Sequence, residues 1–217
     1  MSKLRLFDYA ASANCYKVRL LLAQLRLKYE RVPIDIFDGD TLTDDYATLN
    51  PLRSTPVLQL GDGRVLIESN AILWYLGYDS SFLPADAFSQ SQVCRWLIYE
   101  QSDVMPMIGG LRFRLITGRF PPDSAPATER RRGAHEVLAM IDSHLQAREF
   151  LVGDRYTIAD IAVYAYTHVA GDASIDLSLY PAVSAWLERV ASQEHFIDDL
   201  EPYPPNASVL AGRSIYG

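Results

Sequence analysis

Apolar and polar positions alternate over residues 3–8, KLRLFD, with Leu4 and Leu6 on one face, which predicts a half-buried strand. Over 14–26, NCYKVRLLLAQLR, Cys15, Val18, Leu22 and Leu25 recur at intervals of three and four, the period of a helix with one apolar stripe. YERVPIDI at 29–36 predicts a second strand, so the start of the chain reads as a right-handed βαβ unit. Residues 37–52 are polar and irregular and end in Asn50-Pro51. PVLQL and RVLIE then flank Gly-Asp-Gly, the pattern of an antiparallel hairpin, and Ser69 is placed to cap a helix running through Leu76.

Past this point the period changes. YDSSFLPADAF (78–88) is polar and broken by Pro84, and no convincing strand follows it. Helical periodicity runs through 89–116, 127–148, 157–170 and 179–193, with a loop at 117–126. Residues 201–217 hold three prolines and little periodicity, which predicts a surface-hugging or mobile tail. The expectation is an α/β domain over 1–78 with a mixed four-stranded sheet ordered βαβ–ββα, a linker over 79–87, and an all-α domain over 88–217 that includes the tail.

Composition narrows the function. A net charge of −7 argues against a nucleic-acid backbone binder. No apolar run is long enough for a membrane span. MSKLRLFDYAAS has no signal-peptide pattern, so a cytoplasmic protein is expected. Cys15 and Cys94 stand far apart without ligand spacing, and the four histidines are scattered, so no metal site is expected. Cys94 is expected to be a helix-buried thiol and Trp74, Trp96 and Trp186 core or interface anchors.

The stretch RSTPVLQLGDGRVLIESNAIL (53–73) carries the first chemistry. Proline lacks a ladder donor and belongs at a strand's first residue, where a cis bond would leave the backbone of Thr55 free to pair with an extended ligand. The helix opening at Ser69 offers free N–H groups and a positive dipole end for a carboxylate, and Glu68 could meet an ammonium group. The set suits a small zwitterionic peptide. Singly, Thr-Pro can merely start a strand and Ser69 can merely cap.

The βαβ–ββα order, Thr55-Pro56, Glu68-Ser69 and FLVGDRYTIADIAVYAYTH (150–168) together resemble the cytosolic glutathione transferase family over nearly the whole chain. The first half is similar to its thioredoxin-like glutathione-binding domain. In the second half Thr157 and Asp160 are spaced as a capping box, with Tyr156 and Ile161 as a hydrophobic staple, which gives Asp160 a structural role. The resemblance implies glutathione as co-substrate, a homodimer, and attack of its thiolate on a small electrophile.

Such a protein must favour a thiolate. Lowering a thiol pKa by about two units takes about 2.7 kcal/mol, within reach of one hydroxyl donor plus a helix N-terminus. Aligned on Lys17-Val18-Arg19, Ser12 falls where the serine-type classes carry their thiol-contacting hydroxyl. Ser12-Ala13-Asn14 also resembles the Thr-Pro-Asn triplet of the bacterial nu-like members, mainly glutathione-dependent disulfide reductases, with Ala13 departing from their proline; there Ser12 and Asn14 would both face the sulfur. Cys15, as in beta- and omega-like classes, and Tyr9, as in tyrosine-type classes, are further candidates, though Cys15 lies on the apolar stripe. The family's Asn-Pro-x-Gly-Lys/Gln-Val-Pro loop reads NPLRSTP here. By that resemblance Ser54 replaces the long polar side chain that would bind the glycine carboxylate, Arg53 could substitute for it or be a solvated arginine, and Thr55, before Pro56, would align the cysteinyl backbone. On 96–115, Tyr99, Met105, Met107, Ile108, Arg112 and Phe113, with Tyr9, could line an electrophile cleft, though such stripes are also core; Pro106 and Gly109-Gly110 suggest a kink. Two rivals stand beside the transferase: a disulfide-bond oxidoreductase on the same fold, and a catalytically silent binding module.

Overall fold

The computed structural model describes residues 3–215. The outer ends of the two expected domains, residues 1–2 and 216–217, lie outside the described residues. Two compact units divide the chain, one of residues 1–76 with 197–217, the other of residues 77–196.

In the first unit β1 (Leu4–Asp8), α1 (Ala13–Gln24), β2 (Tyr29–Pro33), α2 (Asp44–Leu49), β3 (Val57–Gln59), β4 (Val65–Ile67) and α3 (Ser69–Gly77) follow one another. The sheet order is β2-β1-β3-β4. β1 runs parallel to β2 and antiparallel to β3, with Leu6 opposite Arg31 and Leu58. β3 and β4 form the hairpin, closed by Leu60 N–H on Arg64 O at 2.8 Å, with Gly63 at φ +90° in the turn. That φ strains any side chain and suits glycine. Leu6, Leu58, Val18, Leu21, Ile72 and Leu73 are fully buried.

Three sequence expectations change here. The stretch 37–52 contains α2, capped by Thr43 Oγ1 on Tyr46 N–H at 3.2 Å; six residues are too few to show a helical period. α1 has no polar face: Lys17 and Arg19 are as buried as its leucines. Residues 197–215 group with the first unit, not with the helical one.

The second unit is all helical: α4 (Ala87–Tyr99), α5 (Gly110–Ile116), α6 (Ala125–Leu145), α7 (Ile158–Thr167) and α8 (Pro181–Ala191). α4 and α5 are joined without a break by a π-helical segment, Glu100–Gly109. Pro106 lies inside it, where a proline can neither donate nor tolerate the normal α spacing. Trp96 and Trp186 are fully buried, their indole N–H groups on Leu151 O and Asp160 Oδ1. Cys94 is exposed, contrary to expectation, because it falls outside the stripe of Val93, Trp96 and Leu97. The Thr157–Asp160 capping box forms. The Tyr156 ring meets Phe82 and Phe150, at 5.9 and 5.5 Å between centroids. Among the described residues no helix is long and apolar enough to cross a membrane, and no cluster of ligating side chains suits a metal.

Candidate functional site

The first turn of α1 is the centre of the site. Ser12 is the helix cap in extended conformation (φ −84°, ψ 120°), and its Oγ accepts from Cys15 N–H at 3.3 Å. A capping hydroxyl satisfies one free amide and keeps its own proton to donate at the positive end of the helix. Asn14 Oδ1 accepts from Ser69 Oγ at 3.0 Å, which leaves its amide nitrogen as the group it can offer a ligand. One turn on, buried Lys17 donates to Asn70 Oδ1 at 3.2 Å. The starts of α1 and α3 are therefore cross-linked twice, which fixes two helix N-termini together.

Ser69 is not the cap of α3. It is the first helical residue, 4% exposed, with its hydroxyl on Asn14. Glu68 takes the capping position, its carbonyl accepting from Ile72 N–H at 2.9 Å, and has φ +69°. A glutamate there carries about 1 kcal/mol or more of strain, held in place by its surroundings. Its side chain is exposed.

The Thr55–Pro56 bond is cis, and Val57 begins β3 directly after it. Ser54 is tied into the preceding turn: its carbonyl accepts from Tyr46 Oη and Asn50 Nδ2, both at 2.8 Å, and its Oγ accepts from Asn50 Nδ2 at 3.1 Å. Arg53, at φ +55°, donates to the carbonyls of Thr41 and Thr43 at 3.0 and 2.9 Å and lies 3.6 Å from Asp44. Both residues brace the loop that carries Thr55.

Cys15 is fully buried, with Tyr9 N–H on its sulfur at 3.4 Å. Burial pushes its thiol up to about 12, with the Asp8 charge adding to this and hydrogen bonding with Thr55, Tyr9 and Ser12 opposing it. A thiol that stays protonated is no nucleophile at neutral pH. Tyr9 is 5% exposed, its ring beside Phe37 and Tyr203 and its hydroxyl without a partner among the described residues. Burial first, then Asp35 and Tyr203, raise its pKa, so it is a proton donor rather than a phenolate.

The expected electrophile-cleft residues of the helical unit do not share one setting. Ile108 is core, with no exposed surface. Arg112 is buried, its Nε on Asp172 Oδ2 at 2.8 Å. Phe113 lies under the Arg119 guanidinium at 4.9 Å, and Tyr99 stands edge-on to Trp96 at 5.6 Å. Met105 and Met107 are half-buried. Periodicity marks burial, and burial alone cannot separate core from cleft.

One network escaped the sequence reading. Asp8, 1% exposed, holds Arg19 Nη1 at 2.7 Å and also pairs with Arg31. Arg19 Nε reaches Asp199 of the C-terminal segment at 2.9 Å, and its Nη2 reaches Ala10 O at 3.3 Å. Burial opposes the charge on Arg19, but Asp8 and Asp199 outweigh it and raise its pKa. The signal was present in NCYKVRLLL, two cations inside an apolar helical run, but their partners are remote in sequence.

Comparisons with known proteins establish the family. The family model for the glutathione S-transferase N-terminal domain matches residues 11–78, and that for the C-terminal domain matches 104–194. Glutathione S-transferase 3 of Zea mays is 30% identical over 223 residues, 96% of this chain and all of that one. Disulfide-bond oxidoreductase YfcG of Escherichia coli is 27% identical over 194 residues, 85% of this chain and 89% of that one. A crystal structure of a glutathione S-transferase from Pseudomonas fluorescens superposes with TM-score 0.89 at 38% identity, covering 92% of this chain and 100% of that one. The chain belongs to the glutathione S-transferase family.

Proposed function

We propose that the chain binds glutathione on the first unit and transfers its thiolate to small electrophiles. The observation that carries this is Ser12, whose hydroxyl caps α1 beside an Asn14 amide that Ser69 holds in place. A thiol placed there meets a hydroxyl donor and a helix N-terminus, which together favour its anion. Thr55 aligns the cysteinyl backbone and Glu68 with Ser69 receives the γ-glutamyl end. Arg53 and Ser54, both bound within the protein, act on the glycine end through the loop they brace. Family membership supports a homodimer working in the cytoplasm on detoxification chemistry.

The test is the ultraviolet absorbance of bound glutathione thiolate, titrated in the wild type and in Ser12→Ala. The reading expects the apparent pKa to rise by about one unit or more, the loss of one charge-assisted hydrogen bond. An unchanged value removes Ser12 from the role.

Asn14 and the likeness to the Escherichia coli oxidoreductase favour one second reading, glutathione-dependent disulfide reduction at the same site. Turnover of hydroxyethyl disulfide against chlorodinitrobenzene separates the two. Failure to bind glutathione at millimolar concentration removes both and leaves a silent binding module.

A further inference from the structure

The buried network around Arg19 ends on the turn that carries Ser12. β1 stops at Asp8 and α1 starts after Ser12, so residues 9–12 are the whole connection. Ser12 N–H closes it as a β-turn on Tyr9 O at 3.0 Å. In such a turn the central peptide plane, here that of Ala10 and Ala11, is the one that can swing, since type I and type II turns differ by its reversal. Reversal would bring residue 11 to positive φ, a conformation Ala11 does not adopt and an alanine resists.

Two donors from outside the turn hold that plane by the Ala10 carbonyl. Arg19 Nη2 reaches it at 3.3 Å, and Glu201 N–H reaches it at 3.3 Å. Arg19 is itself set by its neighbours. Asp199 accepts Nε on both carboxylate oxygens, at 3.0 and 2.9 Å, and accepts Nη2 on its backbone carbonyl at 3.1 Å. Asp8 Oδ1 accepts Nη1 at 2.7 Å. A planar fork engaged on three of its edges and fully buried keeps one orientation. Asp199, 180 positions from Arg19 in the chain, therefore bears on a carbonyl two residues before the capping hydroxyl.

We propose that Asp199, acting through Arg19 and the Ala10 carbonyl, is a positioning residue for the Ser12 hydroxyl. This rests on the reading in which Ser12 donates to a bound glutathione sulfur. A hydrogen bond weakens steeply as its angle closes, so a turn left free to tilt gives up part of the thiolate stabilisation. The simpler role, an anchor for the C-terminal segment, is also filled by Tyr16, whose hydroxyl donates to Ile197 O at 2.7 Å. That role does not account for two remote donors converging on Ala10 O. The charge of Asp199 makes the sign of the effect decisive. Removing a negative charge favours a nearby anion and lowers a thiol pKa, whereas loosening a donor raises it.

The experiment titrates the ultraviolet absorbance of bound glutathione thiolate in the wild type, Asp199→Asn, Ser12→Ala and the double variant. Asp199→Asn should raise the apparent pKa by about half a unit, about threefold less thiolate at pH values below it. In the Ser12→Ala background the same substitution should move it by less than about 0.2 unit, because the hydroxyl it aims is gone. Arg19→Lys keeps the charge without the fork and should follow Asp199→Asn. Tyr16→Phe removes an anchor of the same segment and should leave the pKa within about 0.2 unit of the wild type. A lowered or unchanged pKa in Asp199→Asn, an equal shift in both backgrounds, or an equal shift in Tyr16→Phe overturns this proposal and leaves Ser12 in its role. No shift in Ser12→Ala, or no glutathione bound by the wild type, overturns the underlying reading as well.

Discussion

Replacing Asp160 by alanine strands three buried N–H donors at once. Its Oδ1 accepts from Leu151 N–H at 2.9 Å and Trp186 Nε1–H at 3.0 Å, and its Oδ2 accepts from Thr157 N–H at 2.9 Å. An ordinary cap lost to alanine costs about 1 kcal/mol. Here each orphaned buried donor adds about 1–3 kcal/mol, against which relief from holding a buried carboxylate counts, so Asp160→Ala should cost about 4 kcal/mol. Part of this belongs to the indole, so Asp160→Ala and Trp186→Phe should couple by about 1 kcal/mol. The pH dependence supplies a second readout. Burial pushes the Asp160 carboxyl up to about 6, with hydrogen bonds from Leu151, Thr157 and Trp186 opposing it. Between the ordinary value of 3.8 and about 6 the folded state holds a proton that the unfolded chain has released. This contribution is complete below the ordinary value and is lost as pH rises through about 6. The stability difference between wild type and Asp160→Ala should therefore shrink by about 3 kcal/mol from acid to neutral pH. Urea melts of both proteins across that range measure it directly. A loss under about 1 kcal/mol, or a difference that widens with pH, refutes the reasoning.

Other expectations follow from the first unit. Asp8→Asn leaves two arginines facing a neutral amide and should cost about 3–5 kcal/mol, read as the midpoint of a denaturant melt. Asp199→Asn removes a partly exposed partner and should cost about 1 kcal/mol or less by the same assay. Ellman's reagent should label Cys94 in the native protein and reach Cys15 only on unfolding, since one thiol is exposed and the other buried. On the proposed function, Cys15→Ala should accordingly leave glutathione-dependent turnover unchanged.

Local rules reached further into this chain than remote ones. The strands, the hairpin, the Thr55-Pro56 corner and the Thr157–Asp160 cap each arise from residues within a few positions of one another, and each could be read directly. Ser12 was singled out by the family resemblance and by no local rule, and its place as the cap of α1 comes from the coordinates. Ser69 was misassigned as a cap because its real partner, Asn14, is 55 positions away. Arg53 and Ser54 have ligand-like chemistry, yet loop carbonyls and Asn50 claim them, and only coordinates reveal such competition. Cys94 shows the limit of a period argument: one position beside Val93 turns a thiol from core to surface.

The distant C-terminal segment completes the first unit. Tyr16 hydrogen-bonds Ile197 O, Arg19 grips Asp199, Glu201 N–H meets Ala10 O, and Arg213 N–H meets Phe37 O. A ribosome delivers these partners only after the whole helical unit has emerged. Until then the nascent first unit holds Arg19 with a single tail-independent carboxylate pair and a Tyr9 ring missing one neighbour. Its final closure must wait until residues 197–213 have been made, and a fragment ending at residue 76 would never reach it.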